Sequence, residues 1–303
     1  MRLRALAPLL ALVVVACGSD DPSVTAEQAG RPVVITGLRP LAEAIEDVAG
    51  TAVVVIDLTP VGESAHELTL TDRQRREVLD ADLAVVLGKG FQPDLERAAA
   101  ARTGPTFDVL AALALPDRPD GAPGPVDHHV WLDPTIMGSI VTAVADAVAG
   151  VVPEEAAAVR GRAARLVEQH VRLDAQMQQG LRSCRLTVVA SQHEAFGWLA
   201  ARYELTNLGF DGPVPDEDPA PDPVRQAAIE ERIDGGEVTT LFIGTLIPSG
   251  WLEALADERG LQVAVLNAYE GRTEREAADG ATYRSIQLYN LLTLQDHLEC
   301  EPT

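Results

Sequence analysis

Basic residues are scarce in this chain. Its 303 residues include 24 lysines and arginines against 46 aspartates and glutamates, which gives a formal net charge of −22. This charge repels phosphate backbones and anionic lipid surfaces, so nucleic acid and bare membrane surfaces are excluded as principal partners. The sequence also lacks a His-Glu-x-x-His pair or any other hydrolase phrase. That absence argues against a metal-dependent hydrolase.

Histidine is rare too, with six in the whole chain, and three of them lie more than 60 residues from one another. His66 ends the phrase PVGESAH, His129 opens HVWLDP and His193 opens HEAFGW. Imidazole is the commonest metal-ligating side chain, and three imidazoles around one ion are typical of zinc. Ligands this far apart cannot form a local finger, so they would have to converge in a folded cleft.

Short apolar runs alternate with amphipathic segments along most of the chain, which favours parallel α/β sheets. The predicted strands cover residues 32–37, 53–58, 83–87, 106–110, 186–190, 239–243 and 262–266. A long helix from residue 153 to about 181 separates the two groups of strands. We therefore predict an α/β fold of two lobes, each a small parallel sheet flanked by helices, joined by a long rigid backbone helix. The predicted boundaries are an N-terminal lobe at 31–152, a linking helix at 153–183 and a C-terminal lobe at 184–303.

The first residues are expected to direct secretion. Residues 1–16 combine two arginines with an apolar stretch too short to span a bilayer, which is typical of a signal peptide. The stretch ends in VVACGS, which resembles a bacterial lipobox with Cys17 as the lipidated residue. We expect residues 17–30 to form a tether and the protein to be extracytoplasmic, held at the cell membrane only by its lipid anchor. The alternative is an ordinary signal peptide with an incidental cysteine.

Two further cysteines, Cys184 and Cys300, would then lie in an oxidising compartment. A disulfide between them is expected there. The alternatives are two free thiols or two soft metal ligands.

The candidate ligands follow predicted strands. In open α/β sheets, ligands bind beyond the carboxyl ends of the strands. His66 follows the strand at 53–58, His193 follows the strand at 186–190, and Asn267 and Glu270 follow the strand at 262–266. Two facing lobes would bring these side chains to one point, with His129 arriving from the first lobe.

Other polar candidates are assigned structural roles. His128 should point away from its neighbour His129, because adjacent residues of an extended chain face opposite sides. His170 is expected to be solvated on the linking helix. Asp133 is expected to cap the helix that starts near Pro134.

With these phrases in place, the chain resembles the zinc/manganese class (cluster A-I) of periplasmic solute-binding lipoproteins that serve metal ABC transporters. The matching phrases occur in the family's order and span nearly the whole mature chain, with HVWLDP as the strongest. The others are PVGESAH, HEAFGW, VLNAYEG at 265–271 and the segment 283–291. The resemblance implies a binding protein rather than an enzyme. Its partner would be the ABC permease of a zinc or manganese importer, a metallochaperone is a candidate accessory partner, and the protein would be a monomer.

The resemblance places the metal ligands at His66, His129 and His193, and three imidazoles favour Zn²⁺ over the harder Mn²⁺. The family's fourth ligand is an aspartate, and Asn267 stands at its position. Glu270 or a water could serve instead. Two other functions stay open at this point. One is a related lipoprotein with a degenerate metal site that acts in adhesion or partner binding. The other is a zinc hydrolase with a three-histidine site and a water in the fourth position.

Overall fold

The computed structural model describes residues 30–122, 124–211 and 222–301. The predicted signal peptide and Cys17 lie outside these residues, as does all of the predicted tether except Gly30.

The first half of the chain builds a four-stranded parallel sheet with strand order β2-β1-β3-β4. Helices alternate with the strands because each buried run ends in a turn and is followed by an amphipathic segment. The two inner strands, β1 and β3, are apolar except for Thr36, as expected for a sheet that is covered on both faces. In chain order the elements are β1 (Val33–Thr36), α1 (Arg39–Ala49), β2 (Val54–Asp57), α2 (Asp72–Asp80), β3 (Leu83–Val86), α3 (Pro93–Ala101), β4 (Thr106–Asp108) and α4 (Val109–Leu113).

Two long helices then run across the middle of the molecule, α5 (Pro134–Val151) and α6 (Ala156–Leu181). Asp133 caps α5 as predicted, accepting the backbone N–H groups of Thr135 and Ile136. Among the described residues, α5 alone is long and apolar enough to cross a membrane, with a mean hydropathy of 1.5. Half of it is buried against neighbouring elements, which is the position of a core helix. At 1.5 Å per residue, the 26 residues of α6 extend roughly 39 Å.

The second half forms another four-stranded parallel sheet with the order β6-β5-β7-β8, the same relative order as the first. This confirms the predicted α/β fold with two small parallel sheets. In chain order its elements are β5 (Val188–His193), α7 (Gly197–Arg202), β6 (Thr206–Asp211), α8 (Pro223–Asp234), β7 (Thr240–Ile243), α9 (Gly250–Arg259), β8 (Gln262–Val265), α10 (Glu274–Ala278) and α11 (Tyr283–His297).

Several sequence-based expectations need correction. Strand β5 continues to His193, so this histidine ends the strand rather than following it. Strand β6 and helix α10 were not predicted at all. The strand expected at 106–110 stops at Asp108, because the Asp108 side chain accepts the backbone N–H of Ala111 and starts α4. His170 was expected in solvent, yet it is only 5% exposed and its ring packs edge-on against Tyr283.

One hydrophobic core connects the two halves. It contains the inner faces of both sheets together with residues of α1, α5, α6 and α11. Two smaller clusters lie under the outer faces of the first and second sheets. The predicted disulfide joins Cys184, just beyond the end of α6, to Cys300, just beyond the end of α11. It therefore ties α11 to α6.

Candidate metal centre

Four side chains from four separate segments meet between the two sheets. His66 lies in a 3₁₀ turn, Ala65–Glu67, beyond the carboxyl end of β2. His129 directly precedes the 3₁₀ turn Val130–Leu132, and His193 ends β5. Glu270 lies in the segment after β8. His66 and His129 thus come from the half of the molecule that contains the first sheet. His193 and Glu270 come from the half that contains the second sheet.

The ligand atoms of these four residues are close enough to share one ion. The Nε2 atom of His129 lies 3.2 Å from Nε2 of His66 and 3.1 Å from Nε2 of His193. The Oε1 atom of Glu270 lies 3.5, 3.0 and 3.4 Å from Nε2 of His66, His129 and His193, respectively. Four ligands 2.0–2.1 Å from a tetrahedral zinc ion are about 3.3 Å from one another. The five distances are therefore close to those of a tetrahedral zinc site.

Burial separates this cluster from water. Each of the four side chains is at most 5% exposed, and His129 is completely buried. Within the parts of the chain that the structure describes, it is the only group of three or more His, Cys, Asp or Glu residues that could hold a metal ion. Burying ionisable groups costs free energy unless they are paired or bind a metal ion. Four buried ligands that converge on one point therefore favour binding of a divalent cation.

The protonation states of the cluster are set by competition between burial and ion pairing. Burial lowers the pKa of His66 to about 4, although the nearby Glu270 opposes this. Burial would also lower the pKa of His129, but hydrogen bonds to Asp127 and Glu270 outweigh it and raise that pKa to about 9. Burial alone would raise the pKa of Glu270, yet the three imidazoles hold it well below its usual range. Without metal, the site at neutral pH contains a carboxylate paired with a protonated His129.

Two residues outside the cluster orient its members. Oδ1 of Asp127 lies 3.0 Å from Nδ1 of His129, and the Ser64 hydroxyl donates to Oε2 of Glu270 at 2.9 Å. Such partners fix the tautomer and direction of metal ligands. Sequence reasoning missed both residues. Asp127 was detectable only as an acidic residue two positions before a candidate ligand, and Ser64 only as the residue two positions before another.

The two candidates for the fourth position have different surroundings. The Asn267 side chain is engaged elsewhere: its amide nitrogen donates to Glu276 at 2.5 Å and its oxygen accepts the backbone N–H of Tyr269 at 2.7 Å. Glu270, by contrast, has its carboxylate inside the cluster. His128 points away from the cluster, as expected, with Nε2 3.1 Å from the carbonyl oxygen of Lys89.

The family model and the curated proteins that match this chain are described as zinc-uptake or zinc-binding proteins. The family described as "Zinc-uptake complex component A periplasmic", ZnuA, matches residues 34–297. The zinc-binding lipoprotein AdcA of Streptococcus pneumoniae is 25% identical over 310 residues, an alignment that covers 98% of this chain and 60% of AdcA. The high-affinity zinc uptake system protein ZnuA of Bacillus subtilis is 24% identical over 305 residues, covering 95% of this chain and 94% of that protein. The chain thus spans about 60% of the length of AdcA but nearly all of the Bacillus protein.

Solved structures share the fold. The Zn(II)-bound ZnuA-like domain of Streptococcus pneumoniae AdcA superposes with a TM-score of 0.74 at 24% identity, covering 89% of this chain and 100% of that one. The metal-dependent lipoprotein YcdH from Bacillus subtilis gives a TM-score of 0.75 at 22% identity, with 88% and 99% covered.

Proposed function

The chain belongs to the family of periplasmic zinc-uptake complex components, and from this premise we propose that it is an extracytoplasmic receptor for Zn²⁺. It would capture the ion between its two halves and deliver it to the permease of an ABC importer. The ion is cargo, so no bond of a substrate is made or broken.

One observation carries the proposal: four buried ligand atoms lie within 4.8 Å of one another, and those of His129 and Glu270 each lie 3.0–3.5 Å from the other three. We assign the ligands as His66, His129, His193 and Glu270. Three imidazole nitrogens with one carboxylate oxygen suit Zn²⁺ better than Mn²⁺, which prefers a larger share of oxygen ligands. Asn267 would hold the backbone next to Glu270 rather than bind the ion.

The completeness of the cluster favours a binding protein over an enzyme. A catalytic zinc keeps one coordination position open for water or substrate. Here Glu270 fills the fourth position, and it already accepts a hydrogen bond from Ser64. A degenerate site kept for adhesion would lack its fourth ligand. The cluster gives no support to that alternative, because Glu270 supplies a carboxylate and the neutral Asn267 does not have to bind the ion.

The remaining parts of the proposal concern location and partners. Lipidation at Cys17 would hold a monomeric receptor near its permease, which would contact the protein when zinc is bound. A metallochaperone could supply the ion. These features are supported by the lipobox-like phrase around Cys17 and by membership of an uptake-complex family.

Metal titration of the purified chain tests the function. We expect the wild type to bind one Zn²⁺ per chain in competition with a chromophoric chelator, and to prefer Zn²⁺ to Mn²⁺. His129→Ala should weaken binding by about a hundredfold or more, because loss of a direct ligand exceeds the cost of losing a residue that only orients one. His297→Ala is the matched control, since His297 hydrogen-bonds to Thr240 and Gln262 outside the cluster. Equal zinc affinity in the wild type and His129→Ala would contradict the ligand assignment.

A further inference from the structure

A carboxylate outside the metal cluster, that of Glu43, joins the two halves of the molecule. Glu43 lies on α1, beside the first sheet, and reaches the beginning of α11 in the second half. Both of its carboxylate oxygens lie 2.9 Å from the backbone nitrogen of Tyr283. Its Oε2 atom also accepts a hydrogen bond from the Tyr269 hydroxyl at 2.6 Å. A single side chain therefore contacts two segments of the opposite half.

The contact with Tyr283 fixes the start of α11. Tyr283 is the first residue of this helix, where a backbone N–H has no partner inside the helix and a negative charge is favoured. From α11, the Asn290 side chain holds the backbone of Asn267, accepting its N–H at 2.9 Å and donating to its carbonyl at 2.8 Å. The position of α11 thus determines the position of the segment that leads to Glu270.

The contact with Tyr269 acts on the same segment directly. Tyr269 is 1% exposed and has a φ of 56°, in the left-handed region that residues other than glycine seldom occupy. Such a conformation persists only where surrounding contacts determine it. The backbone N–H of Tyr269 donates to Asn267, and its hydroxyl donates to Glu43. Because Glu270 is the next residue, the direction of its side chain depends on these contacts.

A third set of contacts connects this segment with His129. The Tyr283 hydroxyl donates to the carbonyl oxygen of Trp131 at 2.7 Å, and the Trp131 indole N–H donates to the carbonyl of Ala268 at 2.8 Å. Trp131 follows His129 by two residues and Ala268 precedes Glu270 by two. The tyrosine held by Glu43 therefore bridges the backbone segments of two cluster members that come from different halves.

We propose that Glu43 is a positioning residue for the metal centre, which holds the Glu270 segment in register with His129 by tying α1 to Tyr269 and Tyr283. The inference rests on the proposed zinc-binding function. A site whose ligands are held in place before the ion arrives binds more tightly than one that must be ordered on binding.

Glu43→Gln tests the proposal while keeping the size of the side chain. The amide has one acceptor oxygen, and its NH₂ group would face the N–H of Tyr283, so the three contacts cannot all survive. Asp47→Asn is the matched control, because it removes one negative charge from an exposed position one turn further along the same helix. We expect Glu43→Gln to weaken zinc binding about tenfold and Asp47→Asn to leave it unchanged.

A readout without metal separates positioning from general loss of fold. Amide hydrogen exchange in the metal-free chain should become faster in residues 267–270 of Glu43→Gln, while the strands of the first sheet stay protected. Tyr269→Phe, which removes only the hydroxyl, should reproduce part of this change. The double variant Glu43→Gln/Tyr269→Phe should show less than the sum of the two single effects, because both remove one shared contact.

The outcomes distinguish this inference from the proposed function. Unchanged zinc affinity and unchanged exchange in Glu43→Gln, beside a wild type that binds zinc, would overturn the positioning role and leave the receptor function standing. If the wild type itself fails to bind zinc, the receptor function is wrong and the positioning role for a zinc site is overturned with it.

Discussion

Oδ1 of Asp127 lies 3.0 Å from Nδ1 of His129 and 3.0 Å from the backbone nitrogen of the same residue. The carboxylate thus holds both the ring and the chain of one buried histidine. With Nδ1–H donating to Asp127, the other ring nitrogen of His129 points at Glu270 and the two neighbouring imidazoles. A carboxylate that accepts the N–H of the ring nitrogen away from the metal orients histidine ligands of zinc in proteins in this way.

Removing the charge of Asp127 should change the proton balance of zinc binding. In Asp127→Asn the pKa of His129 should fall, because one of the two hydrogen bonds that raise it to about 9 loses its ionic partner. We expect fewer protons to be released per zinc at pH 8, and zinc affinity to fall about tenfold. Calorimetry in two buffers with different ionisation enthalpies measures both quantities. Asp117→Asn, which alters the exposed pair with Lys89, is the control. The same proton release from Asp127→Asn and the wild type would contradict this role.

Zinc affinity should depend on pH through His129. Its pKa of about 9 means that the metal-free site carries a proton on this ring at neutral pH, and the ion has to displace it. Between pH 6 and 8 we expect the association constant to rise about tenfold per pH unit, and the rise should level off above pH 9. His66 adds nothing over this range, because burial lowers its pKa to about 4. Competition titrations, corrected for protonation of the chelator, would measure the slope. A flat profile between pH 6 and 8 would show that His129 is neutral before zinc binds.

Gly271 should be intolerant of any side chain. A Cβ atom at this position would lie 2.2 Å from the backbone carbonyl oxygen of Glu63, in the loop that carries His66. Gly271→Ala must therefore move one of the two loops and displace the adjacent Glu270. We expect a loss of about 1–3 kcal/mol in the free energy of unfolding and about tenfold weaker zinc binding.

The control for this variant is Gly150→Ala, in α5, where a Cβ would meet no atom within 4 Å. Alanine is favoured over glycine in a helix, so this change should leave stability equal or slightly higher. Denaturant unfolding with zinc titration of both variants is the measurement. Wild-type zinc affinity in Gly271→Ala would show that the contact between the loops does not position Glu270.

Removing the disulfide should lower stability and spare the metal centre. Cys184 and Cys300 are separated by 116 residues, a loop for which the chain-entropy model gives about 4–5 kcal/mol. Cys184 precedes β5, near the amino end of that strand, whereas His193 of the cluster lies at the carboxyl end of the same strand. We therefore expect Cys184→Ala/Cys300→Ala to unfold at a lower denaturant concentration and to bind zinc with wild-type affinity while folded. A weakened zinc site in the folded variant would mean that the position of α11 depends on this bond as well as on Glu43.

The sequence was sufficient to predict the layered α/β architecture, because the buried strands are short apolar runs separated by turn residues. It failed at β6, whose residues TNLGFD combine three polar residues and a glycine with no regular alternation. The strand forms because most of its residues pair with β5. This pairing depends on the tertiary fold rather than on the local sequence of β6. His170 was misjudged for a similar reason. Its position on a long helix gave no sign that Tyr283, more than 100 residues away, would cover it.

The metal cluster was predictable in part. Three histidines in separate phrases indicated a site made by folding, and the structure brings all three together with Glu270. The choice between Asn267 and Glu270 could not be made from the sequence, since they lie three residues apart after the same strand. What separates them is the left-handed backbone at Tyr269 and the hydrogen bonds around it. Neither is visible in residue spacing.

The cluster draws two side chains from each half of the molecule, and α6 runs between those halves. An ion bound by all four ligands would cross-link the two halves, and separating them would require breaking its bonds to the two ligands of at least one half.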